Sequence, residues 1–433
     1  MSVTLLALAI ALFTIIAWRD LKLAILLTLV FLPSYLIRFS VGPVPFTLLE
    51  ILLLIVFLVF FIRQLPNYSI TKLLNYSIIL LILAATIGVV VAPDRLAALG
   101  IWKSYFIEPI LFFYVVRSTL INEMDRRRAR EALGLGALLV SIFAITQYFT
   151  GYGIPSPWDF ERRVTSFFEY PNAVGLYLAP IISIAVMRVF SKVENLKTRD
   201  EINLKLYWSL VTILGLIAIV LAKTEASLVA IPTSLLLIWF IRSLPHSVRS
   251  AQTRKWIFGL ASAVVAIGVV LSIPVVREKL LLQDSSGLVR RSQWNETFEM
   301  LKDNWLFGAG LSGYPTALEP YHNDIQYEIF QYPHNIILNI WSELGLLGLV
   351  AFLWIATLVL RGVVTSPTGN YSITQLPNYL IATALLTMII HGLVDVPYFK
   401  NDLAVMTWSL LALISWPSLA SSRSFSGRYF PWP

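Results

Sequence analysis

Several stretches of this chain carry side chains able to hold an anion or move a proton. Arg290 precedes Trp294 by four residues, and Phe298, Leu301 and Trp305 follow at spacings of four, three and four. That pattern predicts one apolar stripe on a helix lying at a membrane surface or against a bundle, with Arg290 extending the stripe. An arginine on such a face needs an anionic partner: a protein carboxylate, a lipid headgroup or a substrate phosphate. Arg291 points elsewhere, toward solvent. Further on, Tyr332-Pro333-His334-Asn335 stands before a long apolar span in which Asn335, Asn339 and Ser342 recur at helical spacing. Polar groups in a span face the bundle interior or a wet cavity. His334 would then stand at the mouth of a polar stripe, where an imidazole can accept a proton from a substrate hydroxyl. Helix capping is the plainer alternative.

Other ionisable groups are scattered around these: Arg162 and Arg163 before Pro171-Asn172, Lys223 and Glu225 in a very short turn, and His391 and Asp395 four apart at a helix end. Lys103 and Glu108 lie inside a span, where charge is costly, so they point inward for structural pairing or for substrate. The glycine-rich stretch from Asn304 to Tyr314 matches no nucleotide-binding loop and reads as a tight turn, with phosphate cradling as the alternative. No His, Asp and Glu grouping has metal-ligand spacing, and the chain has no cysteine.

The elements that position these residues follow from composition. Of 433 residues, 57% are hydrophobic and 13% charged, about half the charged fraction of an ordinary soluble domain. Apolar runs near 3–17, 22–37, 46–62, 76–91, 97–116, 132–149, 172–190, 206–222, 226–241, 256–273, 335–360, 376–393 and 402–416 predict an all-α polytopic membrane protein. The chain holds about 12–13 transmembrane helices, the first two short enough for a hairpin or re-entrant pair. It reads as a single membrane domain, 1–433. The net charge of +8 is explained by topology and anionic lipid rather than nucleic acid. Basic clusters at 126–130, 192–205 and 242–255, with Arg423 and Arg428, mark the cytoplasmic side. Two loops then face outward: 150–171, and the larger 274–334 carrying the amphipathic helix and part of any active site. The echo of Asn-Tyr-Ser-Ile-Thr at 67–71 and 370–374 stops short of the spans and reads as local composition.

The stretch from Tyr332 to Gly348, with His334-Asn335, Leu338, Glu343-Leu344-Gly345 and Gly348, resembles the signature of the O-antigen ligase and polymerase superfamily. Upstream, Arg290-x-x-x-Trp294 and Asn304-Trp305-Leu306-Phe307-Gly308-Ala309-Gly310 look like two further motifs of that family, and Arg163 to Phe168 with Pro171-Asn172 resembles an earlier one. One departure concerns the family's Ser-Arg pair, which stands here as Lys223-Thr224-Glu225; lysine lacks the bidentate fork that arginine offers phosphate. The resemblance implies glycosyl transfer from an undecaprenyl-diphosphate-linked glycan to a lipid or glycan hydroxyl at the periplasmic face of a bacterial inner membrane, without cofactor or metal. It further implies His334 as base, Arg290, Arg163, Lys103 and Lys223 as diphosphate cations, and Asp395, Asn335 and Arg291 as acceptor or supporting residues. A polysaccharide polymerase using a lipid-linked acceptor is the rival within that class, and a lipid or glycan transporter the rival outside it.

Overall fold

The computed structural model describes residues 3–42, 44–63, 72–191, 198–243, 278, 281–364 and 376–414. The span expected over 256–273, the echo residues 64–71 and 370–375, and the basic residues Lys192, Lys197, Arg249, Arg254, Lys255, Arg423 and Arg428 lie outside them. What is described is a helical bundle. Its elements are α1 (Val3–Arg19), α2 (Leu21–Val30), a 3₁₀ turn (Leu32–Leu36), the hairpin β1 (Arg38–Val41) and β2 (Val44–Thr47), α3 (Leu48–Arg63), α4 (Lys72–Val91), α5 (Arg95–Ile101) and α6 (Glu108–Thr119). There follow α7 (Glu123–Thr150), α8 (Asn172–Phe190), α9 (Thr198–Leu221), α10 (Glu225–Ser243), α11 (Ser285–Asn304), α12 (Tyr314–Leu318), α13 (Ile336–Val364), α14 (Leu376–His391) and α15 (Asn401–Leu413).

Among the described residues, six helices are long and apolar enough to cross a membrane: Leu74–Val91, Arg95–Thr119, Glu123–Thr150, Asn172–Phe190, Arg199–Leu221 and Ile336–Arg361. The polytopic all-α reading therefore holds, with α1, α2, α10 and α14 as shorter apolar helices. Helices α1 and α2 are joined at Asp20, which caps α2 by accepting from the Leu23 amide. The short strand pair at 38–47 is an addition to the all-helix expectation. Helix α8 runs through the centre with both faces buried, packed on α7, α9, α10 and α14. Its Gly175 lies so close to α10 that a Cβ there would stand 2.2 Å from the Ser227 hydroxyl.

Two departures from regular helix shape the bundle's functional end. Between α5 and α6 the chain makes a π turn at Trp102–Ile107. Pro109 follows it and has no N–H to donate, which frees the Tyr105 carbonyl, and the Tyr398 hydroxyl takes that carbonyl at 2.7 Å. The Trp408 indole in turn donates to the Tyr398 oxygen at 3.0 Å, pinning the 392–400 segment to the bundle.

The second departure corrects the uninterrupted span expected at 335–360. Gly345 has φ 65° and ψ −171°, so α13 is two helices joined at a break. That break lies nine residues after Ile336, roughly 14 Å along the axis. Peptide groups at that depth cannot be left to lipid and must find protein partners. Segment 305–313 supplies them. Ala309 N donates to Ser342 O at 2.5 Å, Leu346 N is shared by Trp305 O and Leu306 O, and Ser312 N donates to the Glu343 carboxylate at 3.0 Å. Leu311 N reaches Gly88 O on α4. The amides of this glycine-rich stretch are thus spent on the bundle, and the stretch is a docking turn rather than a phosphate cradle. A Cβ on Gly308 would meet Ser342 O at 2.4 Å, and one on Gly345 would meet Leu306 O at 2.2 Å.

Helix α11 lies across this end, capped by Asp284, whose side chain accepts from Gly287 N. Its inward face differs from the stripe read off the aromatic spacing. Gln293, Glu296, Thr297, Met300 and Leu301 are buried and Trp294 half-buried, whereas Phe298 and Trp305 are half exposed. Met300 and Leu301 pack with Tyr314, Leu318 and Leu338 in a small core of their own.

Overpacking of the docked turn and left-handed backbone both oppose a Cβ at position 345, so Gly345→Ala is expected to lose about 2–4 kcal/mol. Gly100, with nothing within 4 Å of its would-be Cβ, is the control. In detergent melting curves Gly345→Ala should unfold well below wild type and Gly100→Ala should not; equal melting would sink the docking account.

Candidate active site

The residues of interest converge where the chain leaves or enters helices at one end of the bundle. The first contribution is segment 151–171, organised by one buried side chain of α7. Gln147 accepts from Thr165 N and Ser166 N (3.1 and 2.7 Å) and donates to Gly153 O and Ser166 O, both at 3.0 Å. All its hydrogen-bonding capacity goes to holding that loop. The loop delivers Arg163, whose Nε donates to Ala222 O at 2.8 Å and whose terminal nitrogen donates to the Asn172 side chain at 2.8 Å. The guanidinium also lies 5.0 Å from the Trp158 ring centroid.

Asn172, at the start of α8, turns its amide nitrogen to Asp395 Oδ2 at 3.4 Å. On the other side, Asp395 Oδ1 accepts from Val396 N at 2.8 Å and meets His334 Nδ1 at 3.4 Å. Arg163, Asn172, Asp395 and His334 therefore form one continuous polar chain across four separate parts of the sequence. Asp395 is buried, which alone would raise its carboxyl; the hydrogen bond and charge of His334, together with His391 and the Val396 amide, outweigh this and hold it below the ordinary value.

His334 is held at φ 48°, a left-handed backbone that few non-glycine residues adopt. Its neighbours fix it there. The Trp294 indole donates to Pro333 O at 2.7 Å, Asn335 Nδ2 donates to Leu393 O at 3.0 Å, and Ile336 N donates to Gly392 O at 2.7 Å. Asn335 Oδ1 also caps α13 by accepting from Ile337 N and Leu338 N. The imidazole itself stands edge-on to Phe330 and Tyr332, each 5.1 Å between centroids. Below it the polar stripe faces inward as expected: Asn339 and Ser342 are fully buried.

Arg290 reaches the same group from α11. Its Nε donates to Val394 O at 3.0 Å, next to Asp395, and a terminal nitrogen makes a longer contact to Ser286 O at 3.5 Å. Lys223 lies beside Arg163, whose terminal nitrogen is 3.5 Å from Lys223 O, but its own ammonium is paired with Glu161 at 2.8 Å in the open. Lys103 is not brought to this group. Its ammonium sits 3.1 Å from Glu50 and 3.8 Å from Glu108, over the Phe46 ring, contacts that hold it to α3, the β hairpin and its own span. Arg291 is exposed on the outer side of α11.

Sequence reading missed Lys400. Its ammonium stands over three rings, 4.3 Å from Phe168, 5.2 Å from Tyr35 and 5.3 Å from Tyr170. The Tyr170 hydroxyl lies against that of Tyr332, which contacts His334. Among the described residues no group of three or more His, Asp or Glu gathers in metal-binding geometry. A groove of about 690 Å³ between α2, α7 and α9, lined by Arg127, Arg128 and several leucines, lies at the opposite end of the bundle.

Two outcomes test this geometry. Arg163→Ala leaves Ala222 O and the Asn172 side chain without their donor and is expected to cost about 1–3 kcal/mol, whereas Lys223→Met should leave the melting temperature of the detergent-solubilised protein unchanged, because its ion pair is exposed. In the segment after α12, Glu296 accepts from Asn323 N and Asp324 N and meets His322 Nδ1 at 3.0 Å, and that hydrogen bond raises the His322 imidazole above 6.5. A raised imidazole stabilises the fold fully below its unfolded value of about 6.5 and loses that contribution as pH rises through the folded value. Limited proteolysis of residues 319–327 should therefore quicken as pH rises from about 6 to 8, and the Glu296→Gln variant should lack this dependence.

Residues 210–353 match the family model for O-antigen ligase, which takes in Lys223, Arg290, Trp294, His334 and Gly345. No curated protein matches the chain. The match leaves Arg163, Asn172, Asp395 and Lys400 outside its bounds; the fold brings them in.

Proposed function

We propose that this chain, which carries the domain of the O-antigen ligase family, transfers a glycan from an undecaprenyl-diphosphate carrier to an acceptor hydroxyl at the periplasmic face of the bacterial inner membrane. Family membership supports glycan transfer in a membrane; the carrier, the acceptor side and the residue roles are our reading of the site. The observation that carries it is the polar chain Arg163–Asn172–Asp395–His334 with Arg290 beside Asp395.

In this reading His334 is the base. With Asp395 accepting from Nδ1, the imidazole keeps Nε2 free to take the acceptor's proton. The acceptor oxygen forms a bond to the anomeric carbon while the bond from that carbon to the diphosphate oxygen breaks, and the electron pair leaves on the diphosphate. That departing charge needs fixed cations. Arg163 and Arg290 suit the task because neutral carbonyl or amide oxygens anchor both guanidinium groups. A guanidinium has five N–H donors, so each keeps some for a phosphate oxygen, and among the described residues neither makes a salt bridge to a carboxylate. Lys223, neutralised by Glu161 in the resting protein, reaches the phosphate only by exchanging partners, and Lys103 takes a structural part instead.

An apolar slot supports a lipid-borne donor. It begins at Ile336 and Tyr398, beside the polar group, and runs between α13, α14 and α15 past Ile355, Leu385 and Met388. An isoprenoid chain has the chemistry to lie against such a surface. The test is transfer by purified protein in detergent, with undecaprenyl-diphosphate-linked glycan, lipid and glycan acceptors, and EDTA present. His334→Ala should lower turnover by about 10²–10⁴ while donor binding survives. Equal transfer by the variant returns His334 to a structural role, and loss of wild-type transfer in EDTA overturns metal-independent chemistry.

A further inference from the structure

Lys400 differs from the other cations at this end in what surrounds its charge. Arg163 is anchored by carbonyl and amide oxygens, Lys223 by Glu161 and Lys103 by Glu50. Among the described residues, no carboxylate oxygen lies within 4.0 Å of the Lys400 ammonium, and no acceptor takes its N–H groups. Three aromatic faces surround it instead. Ring faces attract a cation but are poor acceptors of its hydrogen bonds, so the ammonium is positioned and unsatisfied at once.

The surroundings fix its place. Lys400 N donates to Tyr398 O at 2.7 Å, and Tyr398 is itself pinned by Trp408 and Tyr105. Phe168 and Tyr170 belong to the loop that delivers Arg163, and Tyr170 leads through Tyr332 to His334. Asp402, fully buried in the first turn of α15, faces Lys400 without a salt bridge, and neither of its carboxylate oxygens has a hydrogen-bond partner of ordinary geometry. Burial lowers the Lys400 ammonium from its usual value, and the charges of Asp402, Glu169 and Asp395 oppose that shift without occupying its donors. Lys400 is also partly exposed, so a ligand can reach it.

Resting on the transfer reading above, we propose that Lys400 is a further substrate-binding residue of this site, an aromatic-caged cation whose N–H groups receive an oxyanion of the substrate. A diphosphate oxygen of the donor and a carboxylate of an acidic glycan share this chemistry.

The test uses the full chain in detergent and three probes: undecaprenyl diphosphate without sugar, undecaprenol, and a free oligogalacturonate. Lys400→Gln is expected to weaken one anionic probe about 10- to 100-fold, the range for a hydrogen bond to a charged group, with undecaprenol binding and melting temperature unchanged; Lys400→Arg should restore part of it. Loss for undecaprenyl diphosphate assigns the phosphate source, and loss for oligogalacturonate alone assigns the glycan. Undiminished binding of both anions overturns the proposal. Should Lys400→Gln fold poorly, amine acetylation of the wild-type protein replaces it: protection of Lys400 by an anionic probe and not by undecaprenol sustains the role, and absence of protection ends it. Arg290→Gln separates the two readings. If it weakens undecaprenyl diphosphate and Lys400→Gln weakens neither anion, only the Lys400 inference falls; a wild-type protein that binds neither anion overturns both.

Discussion

A peptide group surrounded by hydrocarbon must find a protein partner, and at the Gly345 break that requirement is met by segment 305–313. The consequences run outward from there. Docking the turn fixes the C-terminal end of α11, and α11 so placed sends Trp294 to Pro333 O and Arg290 to Val394 O. The first bond steadies the backbone on which His334 is held at positive φ, and the second ties the segment carrying Asp395 to the outer helix. Glycine is needed at 308 and 345 because Cβ atoms would collide with the carbonyls of the opposing segment. The turn that resembles a ligand loop is thus structural, and the chemistry lies one layer above it.

Charges at this end sort by what neutralises them. Where a lysine meets a carboxylate, as Lys103 does with Glu50 and Lys223 with Glu161, the local field is largely cancelled before any ligand arrives. Where an arginine is anchored by carbonyls, as Arg163 is by Ala222 O and Arg290 by Val394 O, the geometry is fixed and, among the described residues, no carboxylate closes a salt bridge on it. Anchoring by neutral groups therefore selects which cations keep donors open to an anion. Lys400 belongs with the arginines in this respect, since ring faces take the place of carbonyls. At the opposite end the pairs are of the first kind: Lys22 meets Asp125 at 2.6 Å and Arg127 meets Glu131 at 2.8 Å.

How much of this could be read from residues alone depends on the kind of signal. Continuous apolar runs marked the spans because a bilayer tolerates little else; His334, Asn335 and Asp395 stood out as polar groups at the ends of such runs, and Arg290 as the cation extending an apolar stripe. Hydropathy could not show the break in α13, because Leu344-Gly345-Leu346 is as apolar as its flanks and a lone glycine is tolerated in many helices. Aromatic spacing misplaced the inward face of α11: Phe298 and Trp305 repeat at helical intervals, yet the buried face is set by Gln293, Glu296, Thr297 and Met300, partly polar residues that periodicity discounts. For Lys103, charge in a span announced an inward position but not a partner, and Glu50 is far away in sequence. Lys400 was passed over because a single lysine in a short linker has no period or motif, and its cage comes from residues more than two hundred positions away.

The same distances explain why the site belongs to the bundle rather than to the segment that matches the family model. Residues 210–353 hold Arg290 and His334, but within that segment alone His334 has no carboxylate beside it and Arg290 no Val394 carbonyl to grip. Helix α14 ends beside the start of α8, and that packing sets Asn172 against Asp395. The loop before α8 is in turn fastened to α7 through Gln147. A base, its carboxylate and two anchored cations thus come from four separate parts of the chain, each short enough in reach that a shift of one helix by about 1 Å would open a hydrogen bond of ordinary length. The tight packing of α8 on its four neighbours, with Gly175 allowing no side chain against α10, is what keeps those parts in register.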